Sequence, residues 1–216
     1  MRAVLFDLDG TLIDSSMGIT KSVQYALKHL GIEETDVTKL YSFIGPPLFD
    51  SFQKQYQFSE EQAELAVKKY RERYNETGIY ECSLYPRAAH CIRTLKGQGY
   101  LIGLASSKPE VFCKKILGHF GILDLFDEVV GATFDGKRST KEQVLQEVFG
   151  RWKRIEKESM CLVGDTVFDV KGAKEVGIPC VVVTYGFGDL EEMKEAGADA
   201  ICHSMDELPD VLGQML

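Results

Sequence analysis

Two pairs of aspartates occupy positions where their carboxylates can act on one ligand. Asp7 and Asp9 end the first short apolar run, and Asp165 and Asp169 follow a later one. Because side chains alternate along an extended strand, Asp7 and Asp9 lean the same way while Leu8 faces the other layer. Two nearby carboxylates raise each other's pKa, and a divalent cation commonly keeps both ionised. The pair therefore predicts bound Mg²⁺, the hard cation that carboxylate oxygens prefer.

The second pair extends this metal prediction. Asp165 is expected at the carboxyl end of a strand, with Asp169 about one turn into the helix that starts near Thr166. Ligands of open α/β sheets bind outside the carboxyl ends of the strands, so these side chains should converge. The alternative is that Asp165 only caps a helix and Asp7 closes a turn. We expect a metal site formed by Asp7, Asp9, Asp165 and Asp169.

Two further segments could bind an anion. Ser106 follows the second apolar run, and Pro109 suits the first turn of a helix, so the hydroxyl and free N–H groups would form a phosphate site. A serine at such a position is more often only an N-cap. After the third run, Lys137, Arg138 and Lys141 supply positive charge. We favour Lys141 as the cation that reaches the site, because it starts the following helix.

Alternating apolar runs and helical patterns must position these residues. The continuous Val/Ile/Leu runs predict strands buried on both faces, as in a parallel sheet. They are Ala3 to Leu8, Tyr100 to Ala105, Glu128 to Ala132, Met160 to Val163, Cys180 to Thr184 and, more weakly, Ala200 to His203. Helices are predicted at Pro86 to Lys96, Pro109 to Gly118, Thr140 to Phe149, Val167 to Val176 and Asp189 to Ala196. The repeated alternation predicts an α/β fold with a doubly wound parallel sheet and a Rossmann-like core.

An insertion interrupts this alternation. About 90 residues separate the first two runs, where a crossover needs only about a dozen. This segment predicts helices at Ser16 to Leu30, Pro47 to Gln57 and Ser59 to Asn75, with capping-box spacing from Ser59 to Gln62. We predict an all-helical cap at 15–80 over the carboxyl edge of the sheet, and a catalytic core of 1–14 and 81–216.

Composition excludes several classes of protein. The chain has 216 residues, 44% hydrophobic and 27% charged, enough to form one large domain or a core with a cap. A net charge of -8 disfavours nucleic acid and anionic membranes as partners. No run approaches the ~18 apolar residues of a membrane span. Six cysteines without a C-x-x-C pair signal neither zinc nor a redox dithiol. We expect a soluble cytoplasmic protein, monomeric or homodimeric.

Taken together, the chemical residues resemble the four motifs of the haloacid dehalogenase superfamily of hydrolases, in order and over essentially the whole chain. These are Asp7-Leu8-Asp9-Gly10-Thr11-Leu12, Ser106, a lysine near Lys141, and Gly164-Asp165 through Asp169. The resemblance implies that Asp7 attacks phosphorus to form an aspartyl-phosphate and that Asp9 acts as general acid and then base.

The resemblance also implies roles for the other motif residues. Ser106 would hydrogen-bond the phosphoryl oxygens, and Lys141 would neutralise the nucleophile and the phosphate. Asp165 would bind Mg²⁺ beside Asp7 and the main-chain carbonyl of Asp9, with Asp169 in support. The expected substrate-binding residues are Gly10, Thr11, Ser106, Ser107 and Lys141.

Asp9 decides the subclass that the resemblance implies. Dehalogenases and phosphonate hydrolases of the superfamily generally lack an acid there, so its presence points to phosphoryl transfer. We expect a phosphatase acting on a small phosphate monoester, because transfer to water is the commoner outcome in this branch. The cap position, with Ile44 to Leu48 and Leu84-Tyr85-Pro86, resembles the phosphoglycolate phosphatase and 5'-nucleotidase-like branch. Arg87 departs from it, since relatives often have glycine there.

Two alternatives stay open. A phosphomutase of the β-phosphoglucomutase type shares the same four motifs. A non-catalytic, aspartate-phosphorylated signalling module also has an acidic cluster with a Thr or Ser and a Lys, although it should be shorter and lack the helical insertion.

Overall fold

The computed structural model describes all residues from 1 to 216. The chain divides into two compact units, one formed by Met1–Ile13 with Leu84–Leu216 and the other by Asp14–Ser83. We name them the core unit and the inserted unit. The junctions between the units lie at 13/14 and 83/84. The predicted junctions, at 14/15 and 80/81, differ from these by one and three residues.

Eight strands form two sheets. The strands are β1 (Ala3–Phe6), β2 (Ile13–Asp14), β3 (Ser83–Leu84), β4 (Leu101–Pro109), β5 (Glu128–Ala132), β6 (Met160–Gly164), β7 (Cys180–Val183) and β8 (Ala200–Cys202). Six of them make a sheet in the order β5-β4-β1-β6-β7-β8, and β2 pairs with β3 separately. All pairings in the larger sheet are parallel. The predicted α/β fold with a parallel sheet is confirmed.

The larger sheet is the centre of the hydrophobic core, as expected for parallel strands whose crossover helices cover both faces. Leu5 on β1, Leu162 on β6 and Val182 on β7 are fully buried and belong to one apolar cluster. Strands covered on both faces need continuous apolar sequence, the pattern from which they were predicted. Five of the six strands end within two residues of the predicted bounds. The exception, β4, continues to Pro109 because it resumes pairing with β5 after a register shift.

Nine α-helices complete the chain. They are α1 (Ser16–His29), α2 (Leu48–Tyr56), α3 (Glu60–Glu76), α4 (Ala88–Gly97), α5 (Glu110–His119), α6 (Lys141–Arg151), α7 (Val167–Val176), α8 (Leu190–Ala196) and α9 (Leu208–Met215). The first eight start and end within two residues of the predicted bounds, and the capping box from Ser59 to Gln62 is formed. Helix α9 was not predicted. None of these helices has both the length and the apolar composition that crossing a membrane requires.

The chain leaves and re-enters the core unit at adjacent points. The backbone N–H of Tyr85 donates to the carbonyl of Leu12 at 3.0 Å. Two residues later Arg87 precedes α4 with a φ of 68°, in the left-handed region that favours glycine. Its side chain is paired with Asp206 at 2.8 Å. A glycine would suit this backbone better, because it has no Cβ to oppose a positive φ.

The inserted unit consists of α1, α2 and α3 with two 3₁₀ segments at Val37–Phe43 and Gly78–Tyr80. Its core includes the aromatic rings of Phe43 and Phe52, whose centroids lie 4.9 Å apart. Gly18 on α1 lies so close to Gly78 that a Cβ on Gly18 would overlap the Gly78 carbonyl oxygen. The all-helical prediction for this segment is confirmed by these elements.

A charged group fixes the end of the inserted unit to its first helix. Glu81 forms ion pairs with Arg73 at 2.7 Å and Lys21 at 3.1 Å, and its carbonyl accepts from the Gly18 N–H at 2.9 Å. Burial tends to raise the pKa of Glu81, but the hydrogen bonds and charges of Arg73 and Lys21 outweigh it and hold this pKa below its ordinary value. The carboxylate therefore stabilises the unit in its ionised form.

We predict that Glu81→Gln lowers the free energy of unfolding at pH 7 by about 2 kcal/mol, because Arg73 and Lys21 lose a charged acceptor. A depressed carboxyl pKa adds stability above the pKa of the unfolded chain, and this stability is lost as the pH falls through the folded pKa. The difference between wild type and variant should therefore shrink on acidification below pH 5. Urea unfolding from pH 7 to pH 3 measures it. The control is Glu33→Gln, which changes an exposed glutamate of the same unit. A difference that stayed constant with pH would contradict the assignment.

Candidate active site

The carboxyl ends of β1 and β6 bring the two aspartate pairs together. These strands are neighbours, and the N–H of Asp7 continues their pairing by donating to the carbonyl of Val163 at 2.9 Å. Beyond Asp7 the chain turns sharply at Gly10, whose φ is +78°. Asp165 directly follows β6. The sheet order therefore places Asp7 and Asp165 at one edge, as the sequence predicted.

Three carboxylates form a compact, buried group that we call the carboxylate cluster. Oxygen atoms of Asp7, Asp165 and Asp169 all lie within 4.8 Å of one another. Asp165 and Asp169 are fully buried, and Asp7 is 9% exposed. Asp169 is fixed in the first turn of α7, where its Oδ2 accepts from the Thr166 hydroxyl at 2.7 Å and the Thr166 N–H at 3.0 Å. Oδ2 of Asp169 therefore accepts two hydrogen bonds, whereas its Oδ1 lies beside Lys141.

The loop after β7 holds Asp165. Its Oδ2 accepts from the N–H of Phe187 at 2.9 Å, and its Oδ1 accepts from the Thr11 hydroxyl at 3.1 Å. Gly186 and Gly188 lie against Asp165 so closely that a Cβ on either would overlap it. This loop was not predicted from the sequence to contact the site. The two glycines directly after an apolar strand were the available signal, because such spacing often marks close backbone approach.

Lys141 is the cation of the carboxylate cluster. Its Nζ lies 2.9 Å from Asp7 Oδ1 and 2.8 Å from Asp169 Oδ1, and donates to the carbonyl of Ala105 at 2.8 Å. Burial tends to lower the pKa of Lys141, but the charges of Asp169 and Asp7 outweigh it and raise this pKa. Lys137 lies elsewhere, 85% exposed beside Asp135.

The third basic candidate, Arg138, also points elsewhere. It donates to the carbonyl of Gly131 at 2.7 Å and pairs with Glu110 at 3.1 Å. Of the three cations that the sequence offered, Lys141 alone reaches the aspartates.

Ser106 and Asp9 lie beside the carboxylate cluster. Ser106 is buried on β4, and its hydroxyl accepts from the N–H of Lys108 at 3.3 Å. Ser107, the next residue on β4, is half-buried. The carboxylate of Asp9 is not part of the cluster. It faces Lys108, whose Nζ lies 2.8 and 2.9 Å from its two oxygens. The sequence analysis did not single out Lys108.

The charges of the site are unbalanced. Asp9 is paired with Lys108, whereas Lys141 contacts two of the three carboxylates of the cluster, Asp7 and Asp169. With all three carboxylates ionised, two negative charges remain uncompensated. Burial, opposed by Lys141, raises the pKa of Asp7 to about 6. Burial, together with the charges of Asp169 and Asp7, raises the pKa of Asp165 well above its ordinary value. A divalent cation would restore the balance.

The donor set fits Mg²⁺. All three candidate ligands are carboxylates, which hard cations prefer, and their oxygens lie within 4.8 Å of one another. Lys141 supplies one positive charge to this group of three. Asp7, Asp165 and Asp169 could therefore hold the ion, and the carboxylate of Asp9 is directed to Lys108.

We predict that Gly186→Ala weakens Mg²⁺ binding about tenfold, because the new methyl group must displace Asp165, and altered support of a ligand typically costs 10–100-fold in affinity. Calorimetric titration with Mg²⁺ measures this. Gly213→Ala is the matched control, since its Cβ would meet nothing within 4 Å. Unchanged Mg²⁺ affinity in Gly186→Ala would show that the loop after β7 does not control the position of the Asp165 carboxylate.

Comparison with known proteins agrees with this geometry. Residues 4–183 match the family model described as haloacid dehalogenase-like hydrolase. A 5'-nucleotidase of Pseudomonas aeruginosa is 39% identical over 97% of this chain and 94% of its own length. A phosphoglycolate phosphatase of Aquifex aeolicus is 33% identical over 88% of each chain. The tyrosine-protein kinase PtkA of Mycobacterium tuberculosis is 34% identical over 98% of this chain and 72% of its own.

Solved structures give the same relationship. The crystal structure of a predicted phosphatase from Clostridium acetobutylicum superposes with a TM-score of 0.93 at 43% identity, over 99% of this chain and 98% of that one. The resemblance inferred from the motifs is confirmed. The chain belongs to the haloacid dehalogenase-like hydrolases and is a phosphatase of that family.

Proposed function

We propose that the protein is a Mg²⁺-dependent phosphatase that hydrolyses small phosphate monoesters through an aspartyl-phosphate on Asp7. The observation that carries the proposal is the position of Lys141, within 2.9 Å of Asp7 and beside two further buried carboxylates. A carboxylate that attacks phosphorus must be ionised, accessible to the ester and close to positive charge. Asp7 satisfies these requirements, since it keeps some exposure while Lys141 contacts one of its oxygens.

Asp7 is assigned as the nucleophile. Burial alone would favour its neutral form, so Lys141 and the bound metal would keep it ionised. Attack forms the bond from Asp7 oxygen to phosphorus as the ester oxygen leaves, which divides hydrolysis into two easier steps. Asp165 and Asp169 would hold Mg²⁺ together with Asp7. The bound ion supplies positive charge to the transferring phosphoryl group.

Ser106 and Lys141 would hold the phosphoryl group. The Ser106 hydroxyl lies on β4 beside Asp7, and Lys141 donates to the Ala105 carbonyl on the same strand. Hydrogen-bond donors aimed at developing phosphoryl charge stabilise the transition state without reorganising. The loop residues Gly10, Thr11 and Ser107 are proposed to line the same pocket.

Asp9 is assigned as general acid and base. Its side chain lies outside the carboxylate cluster and contacts Lys108, so the proposed metal ligands do not include its carboxylate. This carboxyl group would protonate the departing ester oxygen. In the second step the same carboxylate would take a proton from the water that attacks the aspartyl-phosphate. Its predicted contribution to Mg²⁺ comes from the main-chain carbonyl.

The proposed substrates are phosphoglycolate or a nucleoside monophosphate. This choice is supported by relatives named 5'-nucleotidase and phosphoglycolate phosphatase, at 39% and 33% identity. A panel of phosphoglycolate, nucleoside monophosphates, sugar phosphates and phosphotyrosine, ranked by kcat/KM, tests it. A clear preference for another member of the panel would overturn the substrate class while leaving the phosphatase chemistry intact.

A second candidate is phosphoryl transfer to a hydroxyl rather than to water. It is favoured by the relative named tyrosine-protein kinase PtkA, and a phosphomutase would share this outcome. Hydrolysis and transfer to a hydroxyl are distinguished by where the phosphoryl group goes, to water or to an acceptor. The amounts of inorganic phosphate and of phosphorylated acceptor are compared in two assays. One contains ATP and a tyrosine peptide, and the other contains a hexose phosphate. The family assignment favours either enzyme over a non-catalytic signalling module.

We predict that Asp7→Asn lowers turnover of p-nitrophenyl phosphate at least about 1000-fold, because the amide cannot attack phosphorus. Removal of Mg²⁺ by chelation should abolish turnover, and added Mg²⁺ should restore it. Acid-quenched wild-type protein should carry a phosphoryl mass on the peptide that contains Asp7. The control is Asp124→Asn, at an exposed aspartate of the core unit. Wild-type activity in Asp7→Asn or in metal-free protein would remove the proposed mechanism.

We also predict that Lys141→Ala lowers kcat about 100-fold or more, because Asp7 and the phosphoryl group lose their buried cation. Lys137→Ala, the matched control from the loop before α6, should stay within twofold of wild type. Steady-state kinetics with Mg²⁺ present measure both, and thermal unfolding confirms that each variant is folded. The reverse order would assign the phosphate-site cation to Lys137.

A further inference from the structure

A second lysine is buried at the site, and none of the roles assigned above uses it. The Lys108 side chain is 7% exposed, and that of its partner Asp9 is 14% exposed. The Lys108 Nζ lies 2.9 Å from Asp9 Oδ1 and 2.8 Å from Asp9 Oδ2, so one ammonium contacts both oxygens of the carboxylate. Such a contact holds both oxygens of the carboxylate beside one positive charge.

The backbone of Lys108 is held by the segment that carries Ser106. Its N–H donates to the Ser106 hydroxyl at 3.3 Å, and its carbonyl accepts from the Cys113 thiol at 3.5 Å. Strand β4 pairs with β5 on both sides of this point, at Ser106 and at Pro109. Lys108 therefore reaches Asp9 from a fixed backbone.

Stability alone is a weak reason for this arrangement. Desolvating an ammonium and a carboxylate costs several kcal/mol each, and apolar residues of similar volume often replace buried ion pairs without loss. The position of Asp9 offers a better reason. Of the four site aspartates, it alone lies outside the carboxylate cluster, away from Lys141. A proton donor must lie within hydrogen-bond reach of the departing oxygen, and a misplacement of about 1 Å can cost about 100-fold in rate.

We propose that Lys108 is a positioning residue, which fixes the Asp9 carboxylate for proton transfer to the leaving group. The inference rests on the proposed role of Asp9. In the first step the Asp9 carboxyl group gives its proton to the ester oxygen as the P–O bond breaks and the Asp7–P bond forms. The resulting carboxylate has both oxygens on Lys108, the arrangement in the structure. In the second step the same carboxylate takes a proton from the attacking water.

Leaving groups of different basicity test the inference. An alkyl phosphate needs a proton on its departing oxygen, whereas p-nitrophenyl phosphate does not, and kcat/KM covers the steps up to the aspartyl-phosphate. We expect Lys108→Met to lower kcat/KM about 100-fold for the alkyl ester and less than about fivefold for the aryl ester, since general acid catalysis contributes about 100-fold or more. The loss should lie mainly in kcat. Lys108→Arg should recover part of the alkyl activity.

Several controls make the result specific. Lys115→Met changes an exposed lysine of α5 and should leave both substrates unaffected. Asp9→Asn should show the same selective loss, and adding Lys108→Met to it should lower alkyl activity no further. If Lys108→Met folds poorly, Lys108→Gln replaces it. The ratio of alkyl to aryl activity is also independent of the folded fraction.

Equal losses on both substrates, a loss confined to KM, or no loss would each overturn the inference. A loss confined to KM would instead indicate direct contact between Lys108 and substrate charge. Activity retained in Asp7→Asn would overturn the proposed function itself. Inactive Asp7→Asn with equal losses in Lys108→Met would overturn only the role of Lys108.

Discussion

The site depends on one buried ammonium group shared between carboxylates from different parts of the chain. Lys141, from the first turn of α6, contacts Asp7 after β1 and Asp169 in α7 at 2.9 and 2.8 Å. The aliphatic part of its side chain passes Gly172 so closely that a Cβ at position 172 would overlap it. Removing this cation would leave three buried carboxylates without an opposite charge, and breaking such a buried group is strongly destabilising.

The two lysines divide the acidic side chains into two sets. The carboxylate cluster has more negative charge than Lys141 can neutralise, and a divalent cation can supply the rest. Lys108 and Asp9, in contrast, form a pair with no net charge. Metal binding and proton transfer make opposite demands on a carboxylate, because a metal ligand must stay ionised and a general acid must carry a proton. Asp9 pairs with Lys108 and lies outside the carboxylate cluster, so the two proposed tasks fall to different side chains.

The fold could be predicted because its signals are local. Continuous apolar runs fixed the strands, and residues such as Ser59 and Thr140 marked helix starts that the capping boxes confirm. Helix α9 could not be predicted in the same way. It has eight residues, and its buried side chains, Leu208 and Leu212, are one turn apart, too few to show a period.

The site was predictable where residue type and position coincide. Asp7 and Asp165 end apolar runs, and Lys141 begins a helix, so sheet topology alone brings them to one edge. Lys108 could not be identified, because its burial depends on β4 continuing past Ser106 to pair with β5 again. The loop that contains Gly186 and Gly188 follows β7 and contacts Asp165, which follows β6. No local sequence pattern shows that these two segments meet.

The hydrogen bond between Leu12 and Tyr85 has a consequence for how such chains diversify. It joins the point where the chain leaves the core unit to the point where it returns. The two ends of the inserted segment are therefore held together by the backbone of the core unit. Any foreign segment whose ends lie similarly near each other could be grafted there without stretching the acidic loop that precedes it. A different inserted segment can therefore be acquired by exchanging one contiguous stretch of gene, while the core unit is inherited unchanged.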